Sequence, residues 1–90
     1  MTTDAADSLL EFPCDFPLKV VGEAHDDFDA LVVAIVRRHV VDLHEGAVRA
    51  KASRQGKYVS LTVTIRAESR AQLDALYAEL SAHARILMVL

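Results

Sequence analysis

From Tyr58 to Ala67 the chain alternates: Val59, Leu61, Val63 and Ile65 are apolar, and Ser60, Thr62, Thr64 and Arg66 between them are polar. Successive strand side chains point to opposite faces. The stretch is therefore predicted to be a half-buried strand with one face on a core and one toward water. Arg54-Gln55-Gly56-Lys57 ahead of it supplies a hairpin turn, entered by a strand over Ala47 to Arg54. In that strand Val48, Ala50 and Ala52 are expected to face inward, small enough to sit beneath a helix, and Arg49, Lys51 and Ser53 outward.

On either side the period changes. Phe28, Leu31, Val32, Ile35, Val36 and His39 recur at spacings of three and four, which predicts a helix from Asp27 to His39 with one continuous apolar face ending at His39. Asp26 or Asp27 is placed to cap it, Asp29 to complement its positive end, and Arg37 and Arg38 its negative end. Val32-Val33 and Val40-Val41 are poor helix formers, so burial has to hold this helix. Ser69 with Gln72 three residues on forms a capping box for a second helix, whose buried stripe is Leu73, Leu76, Tyr77 and Leu80. Phe16 to Val21 reads as the first strand, with Phe16, Leu18 and Val20 on one face and Gly22 closing it. Ala84 to Leu90 reads as the last, apolar on both faces.

The order β-α-β-β-α-β, with right-handed crossovers and one buried face, predicts an α+β ferredoxin-like fold: a four-stranded antiparallel sheet in the order 4-1-3-2 with two helices on one face. Residues 1–8 are expected to be a disordered tail and residues 9–90 a single domain. The last strand is then an edge beside the first. If Ile86, Met88 and Leu90 face the helices, Leu87 and Val89 join Val21 in an apolar patch on the open face. Such a patch beside an open edge needs a cover. A second subunit could provide it, making a homodimer. The Leu9-Leu10-Phe12 segment is preferred, being apolar, next to the first strand and otherwise unemployed.

Composition narrows the function classes. Apolar residues are 52% of the chain and charged ones 26%, which is ordinary for a globular protein. The net charge of -3 argues against a nucleic-acid binder, although residues 31–70 carry eight bases against three acids. Tyr58 is the one aromatic expected on the open face, so the stacking platform of an RNA-binding sheet is missing. Cys14 is alone, which suits a reducing compartment. Met1 to Ser8 lacks the basic and apolar regions of a signal peptide, and no apolar run approaches the roughly 20 residues of a membrane span. A cytoplasmic location is expected.

Catalytic chemistry finds no foothold. Cys14, between Phe12 and Phe16 and followed by Asp15, reads as a packed small hydrophobe rather than a nucleophile. His25, His39, His44 and His83 have no metal-ligand spacing, so neither a metal nor any other cofactor is expected. The loop after the first strand, Gly22-Glu23-Ala24-His25-Asp26-Asp27, carries three carboxylates that would repel a phosphate. Gly22 has two readings: a close approach for a ligand or partner backbone, or a strand end at positive φ, which is the simpler.

Leu9-Leu10-Glu11-Phe12-Pro13-Cys14, then Phe16-Pro17, Lys19 and Gly22, resemble the opening of the YbeD-like proteins. Gly56-Lys57-Tyr58 with its strand, Leu76-Tyr77-Leu80 and the terminal Met88-Val89-Leu90 continue the resemblance over roughly Leu9 to Leu90. That family is small and bacterial, is described as ACT-like, and is named as lipoate-binding and regulatory. The resemblance implies a non-enzymatic regulatory module for a small metabolite, with a ligand near the first strand–helix turn at Gly22, Glu23 and His25. Only Gly22 carries over to that turn, and the acids around it oppose an anionic ligand such as lipoate there. The alternative is a protein–protein adaptor with no small ligand, suggested by the uneven charge.

Overall fold

A computed structural model describes residues 11–90. Its elements are β1 (Cys14–Glu23), α1 (Phe28–Arg37), a single 3-10 turn (Glu45–Ala47), β2 (Val48–Ala52), β3 (Tyr58–Ala67), α2 (Arg70–Ala82) and β4 (Ile86–Val89). The four strands are antiparallel in the order β2-β3-β1-β4, which is the expected 4-1-3-2 read from the other edge.

β3 matches the alternation that announced it. Leu61, Val63 and Ile65 are buried to 1% exposure or less, and β1 sets Leu18 and Val20, both at 0%, beside them. Phe28, Val32, Ile35 and Val36 of α1 and Leu73, Leu76 and Leu80 of α2 close the same core. Tyr77 is half-buried, its ring edge-on to Phe16 with centroids 6.5 Å apart, and burial pushes its phenol upward from the usual tyrosine range. Cys14 is partly buried and packs against this core.

Capping separates the two helices. Ser69 accepts a hydrogen bond from the Gln72 backbone N–H at 3.1 Å, as the capping box requires. The Gln72 amide oxygen accepts from the Glu68 N–H at 2.6 Å, and its NH2 group donates to the His39 carbonyl at 2.8 Å. One side chain thus ties the start of α2 to the end of α1. Asp27 holds the N-cap position of α1 but makes no side-chain cap, because its carboxylate is engaged elsewhere.

Several expectations change. α1 stops at Arg37: the Arg38 and His39 N–H groups bond back three residues, to Ile35 and Val36, and close the helix as a tight turn. His39 does not end the apolar stripe but turns to α2, its Nε2 lying 2.7 Å from Glu79 Oε1. β1 runs through Gly22, which pairs with Val59 inside the ladder. Among the described residues only Gly56, in the β2–β3 turn, has positive φ (73°). The strand-end reading of Gly22 therefore fails.

β2 ends at Ala52, and Ala50 and Ala52 are exposed, although their pairing with Leu61 and Val59 puts them on the helix-bearing face. The helical layer does not extend over this edge. β4 is shorter than expected and bulged. Gly22 pairs with Ile86 and Val21 with Met88, leaving Leu87 extra between them. The bulge reverses the expected facing. Val89 pairs with Val20 and packs against the core, while Met88, and Leu90 through its two backbone bonds with Lys19, take the open face beside Val21.

Candidate binding surfaces

The β1–α1 turn is built around Gly22. A Cβ there would strike the buried Phe28 ring and lie 2.8 Å from the Arg85 carbonyl oxygen. The glycine is needed because α1 enters directly over the strand, and Phe28 fills the space that a ligand would use. Just outside, Arg85 grips Asp27 with both guanidinium nitrogens, at 2.8 and 3.0 Å. This fork holds the Asp27 carboxyl below its usual range and raises Arg85. Glu23 and His25 are exposed and face each other at 3.7 Å. The turn thus brings Gly22, Glu23 and His25 together in sequence, but its center is packed and its rim is acidic.

The sheet's other end holds a groove of about 840 Å³ between the segment after α1 and the edge of β2 and β3. Val40, Ile65 and Ala47 give it an apolar floor. Arg49, Arg66 and His44 stand on its walls, with Asp15, Asp42 and Glu68 also present. Arg66 is paired to Asp15 at 3.2 Å, whereas the Arg49 guanidinium has no hydrogen bond or ion pair among the described residues. An apolar floor with one unpaired guanidinium suits an amphipathic molecule with an anionic head. Sequence reading missed this groove because its walls come from residues far apart in the chain, from Asp15 to Gln72.

The open face carries a cationic row. Arg49 lies opposite Thr62, which lies opposite Lys19, and Lys51 lies opposite Ser60. Lys19, Arg49 and Lys51 are all exposed and without side-chain partners among the described residues. Beside them, toward β4, lie half-buried Val21 and exposed Met88 and Leu90, with Leu87 exposed on the bulge. The apolar patch thus exists with changed membership. Of the proposed cover, Leu9 and Leu10 lie outside the described residues. Phe12 packs against the helix-side core, ahead of Cys14 and about 25 Å along the strand from the patch.

Comparison with known proteins places this chain. Residues 7–90 match the family described as protein of unknown function (DUF493). The chain belongs to that family. It is 48% identical over 87 residues to a UPF0250 protein of Janthinobacterium sp. (strain Marseille), covering 97% of this chain and 96% of that one. It is 46% identical to a UPF0250 protein of Chromobacterium violaceum, covering 98% and 99%. The YbeD-like resemblance therefore holds. The solution NMR structure of the ACT domain from GTP pyrophosphokinase of Chlorobium tepidum superposes with a TM-score of 0.63, over 84% of each chain at 15% identity. At that identity the likeness is one of fold, and the ACT-like expectation stands on it. No helix among the described residues is long and apolar enough to cross a membrane.

Proposed function

We propose that this DUF493 protein is a non-enzymatic regulatory module that binds a small metabolite, with lipoate and related acyl carboxylates as the first class to examine. The observation that supports it is the groove, lined by apolar Val40, Ile65 and Ala47 together with Arg49, which is unpaired among the described residues. Its size falls within the usual 300–1,000 Å³ of small-molecule sites. Phe28 fills the β1–α1 turn, so the ligand is assigned to the groove rather than to Gly22, Glu23 and His25. A thermal-shift screen against lipoate, octanoate and amino acids tests this reading. A ligand at 100 times its dissociation constant adds about 2.7 kcal/mol to stability. Arg49→Ala should remove the shift given by a carboxylate. No shift with any of the three classes defeats the reading.

A second reading is favored by a separate observation. Lys19, Arg49 and Lys51 are exposed on the open face and unpartnered among the described residues, which suits an adaptor for an acidic protein partner. Affinity capture at physiological salt, with the intact chain and a Lys19→Glu/Lys51→Glu variant as baits, tests it. Partners retained equally by both baits would count against it.

A further inference from the structure

β2 is the outer strand of the sheet, and its hydrogen bonds can be assigned residue by residue. The Ser53 N–H donates to the Tyr58 carbonyl at 2.8 Å, so Ser53–Tyr58 is a hydrogen-bonded pair. Antiparallel ladders alternate bonded and non-bonded pairs, so Lys51–Ser60 and Arg49–Thr62 are bonded as well. The backbone groups of Val48, Ala50 and Ala52 therefore point away from the sheet, toward solvent. Five residues of regular register carry no bulge, no proline and no covering element among the described residues.

The side chains make this edge accessible. On the helix side Ala50 and Ala52 are small and exposed, and the shelf continues past half-buried Val48 into a shallow hollow of about 270 Å³ beside Val33 and Leu43. On the other side Arg49 and Lys51 have no partners among the described residues. Charged residues on an edge commonly serve to repel other strands. Here they are of one sign, so they repel a second β2 and select a strand of opposite charge.

We propose that β2 receives an extended segment of a partner protein as a fifth strand, with carboxylates at alternate positions over Arg49 and Lys51 and apolar side chains between them over Ala50 and Ala52. The backbone groups of Val48, Ala50 and Ala52 supply the affinity, and the two cations set the partner's charge. This rests on the adaptor reading and shares Arg49 with the groove assigned to a metabolite, whereas Lys51 and the outward backbone groups belong to the edge alone.

Two eight-residue peptides test it on the intact chain, one alternating glutamate and valine, the other lysine and valine. Binding is followed by NMR at the backbone amides. The acidic peptide should shift and protect from exchange the Val48, Ala50 and Ala52 amides, and the basic one should not. Lys51→Glu should weaken the acidic peptide about five-fold and admit the basic one. Ala50→Pro removes an outward N–H without touching the β2–β3 ladder, so the fold should persist while binding falls at least ten-fold. Unchanged affinity in folded Ala50→Pro overturns strand addition. So does binding that shifts only Lys19 and Thr62, although that result leaves the adaptor reading standing. Protection at β2 in the free chain that grows with protein concentration would make a second copy the occupant and overturn the proposal. Absence of binding by both peptides does so too.

Discussion

The two edges of the sheet are built on opposite plans. At the β4 edge the helix side and the ladder are fastened, although Leu87, Met88 and Leu90 stay exposed. Gly22 lets Phe28 lie on the strand, Ile86 is buried to 7% exposure, Arg85 forks onto Asp27, and the two Lys19–Leu90 backbone bonds close the ladder at 2.8 and 3.1 Å. At the β2 edge little is fastened. Two alanines face the helical side uncovered, and two cations face the other with no partner among the described residues. A bulged, four-residue edge is a poor template for pairing, while a regular one with small side chains is a good one. The contrast says where the domain keeps its shape and where it is free to meet something else.

The largest expected effect sets the scale. Ile35 is 3% exposed in the core shared by both edges, and Ile35→Ala should cost about 2–5 kcal/mol in chemical denaturation. A loss below about 1 kcal/mol would mean that α1 does not seat this residue in the core. Gly22→Ala should come next, at about 3 kcal/mol, because neither the buried Phe28 ring nor the Arg85 carbonyl can retreat freely. Its counterpart near β2 is Gly46→Ala, where a Cβ meets nothing within 4 Å; the change should stay within about 0.5 kcal/mol. Equal losses at the two glycines would erase the contrast between the edges.

Ile86→Ala should cost about 2 kcal/mol at the β4 edge. Ala52→Thr at the β2 edge should lie within about 0.5 kcal/mol of neutral, since the side chain is exposed and threonine suits a strand. Urea midpoints at constant m-value would show it, and a loss like that of Ile86→Ala would mean β2 is covered.

The smallest effect is one of pH. The Arg85 fork lowers the folded-state pKa of Asp27 below the ordinary 3.8. A depressed carboxylate contributes stability that is present above its unfolded-state pKa and lost as pH falls through the folded value. The melting temperature should therefore fall between about pH 5 and pH 2 more steeply in the intact chain than in Asp27→Asn. Parallel curves for the two proteins would mean that the fork does not persist in solution.

How much of this was legible depended on how local each signal was. The alternation of β3, the apolar face of α1 from Phe28 to Val36 and the Ser69–Gln72 cap are patterns within a few residues, and each matched the structure. Gly22 was singled out correctly but explained wrongly, because its neighbor Phe28 approaches across the turn rather than along the strand. The facing of Val89 was missed because a bulge adds one residue without any mark in the apolar run Ile86-Leu87-Met88-Val89. The exposure of Ala50 and Ala52 was missed because nothing in their own segment says how far α1 extends over the sheet.

The sequence by itself determined the order of the elements, the buried face of each helix and of β3, and, through its resemblance, the family. Hydrophobic period and capping are short-range properties, so a chain carries them in plain order. Only the tertiary structure decided which edge is bulged and which is regular, where the groove lies and which cations lack partners among the described residues. Those features come from residues far apart in the chain meeting across strands and layers, where one bulge or one helix ending early moves a side chain from core to water.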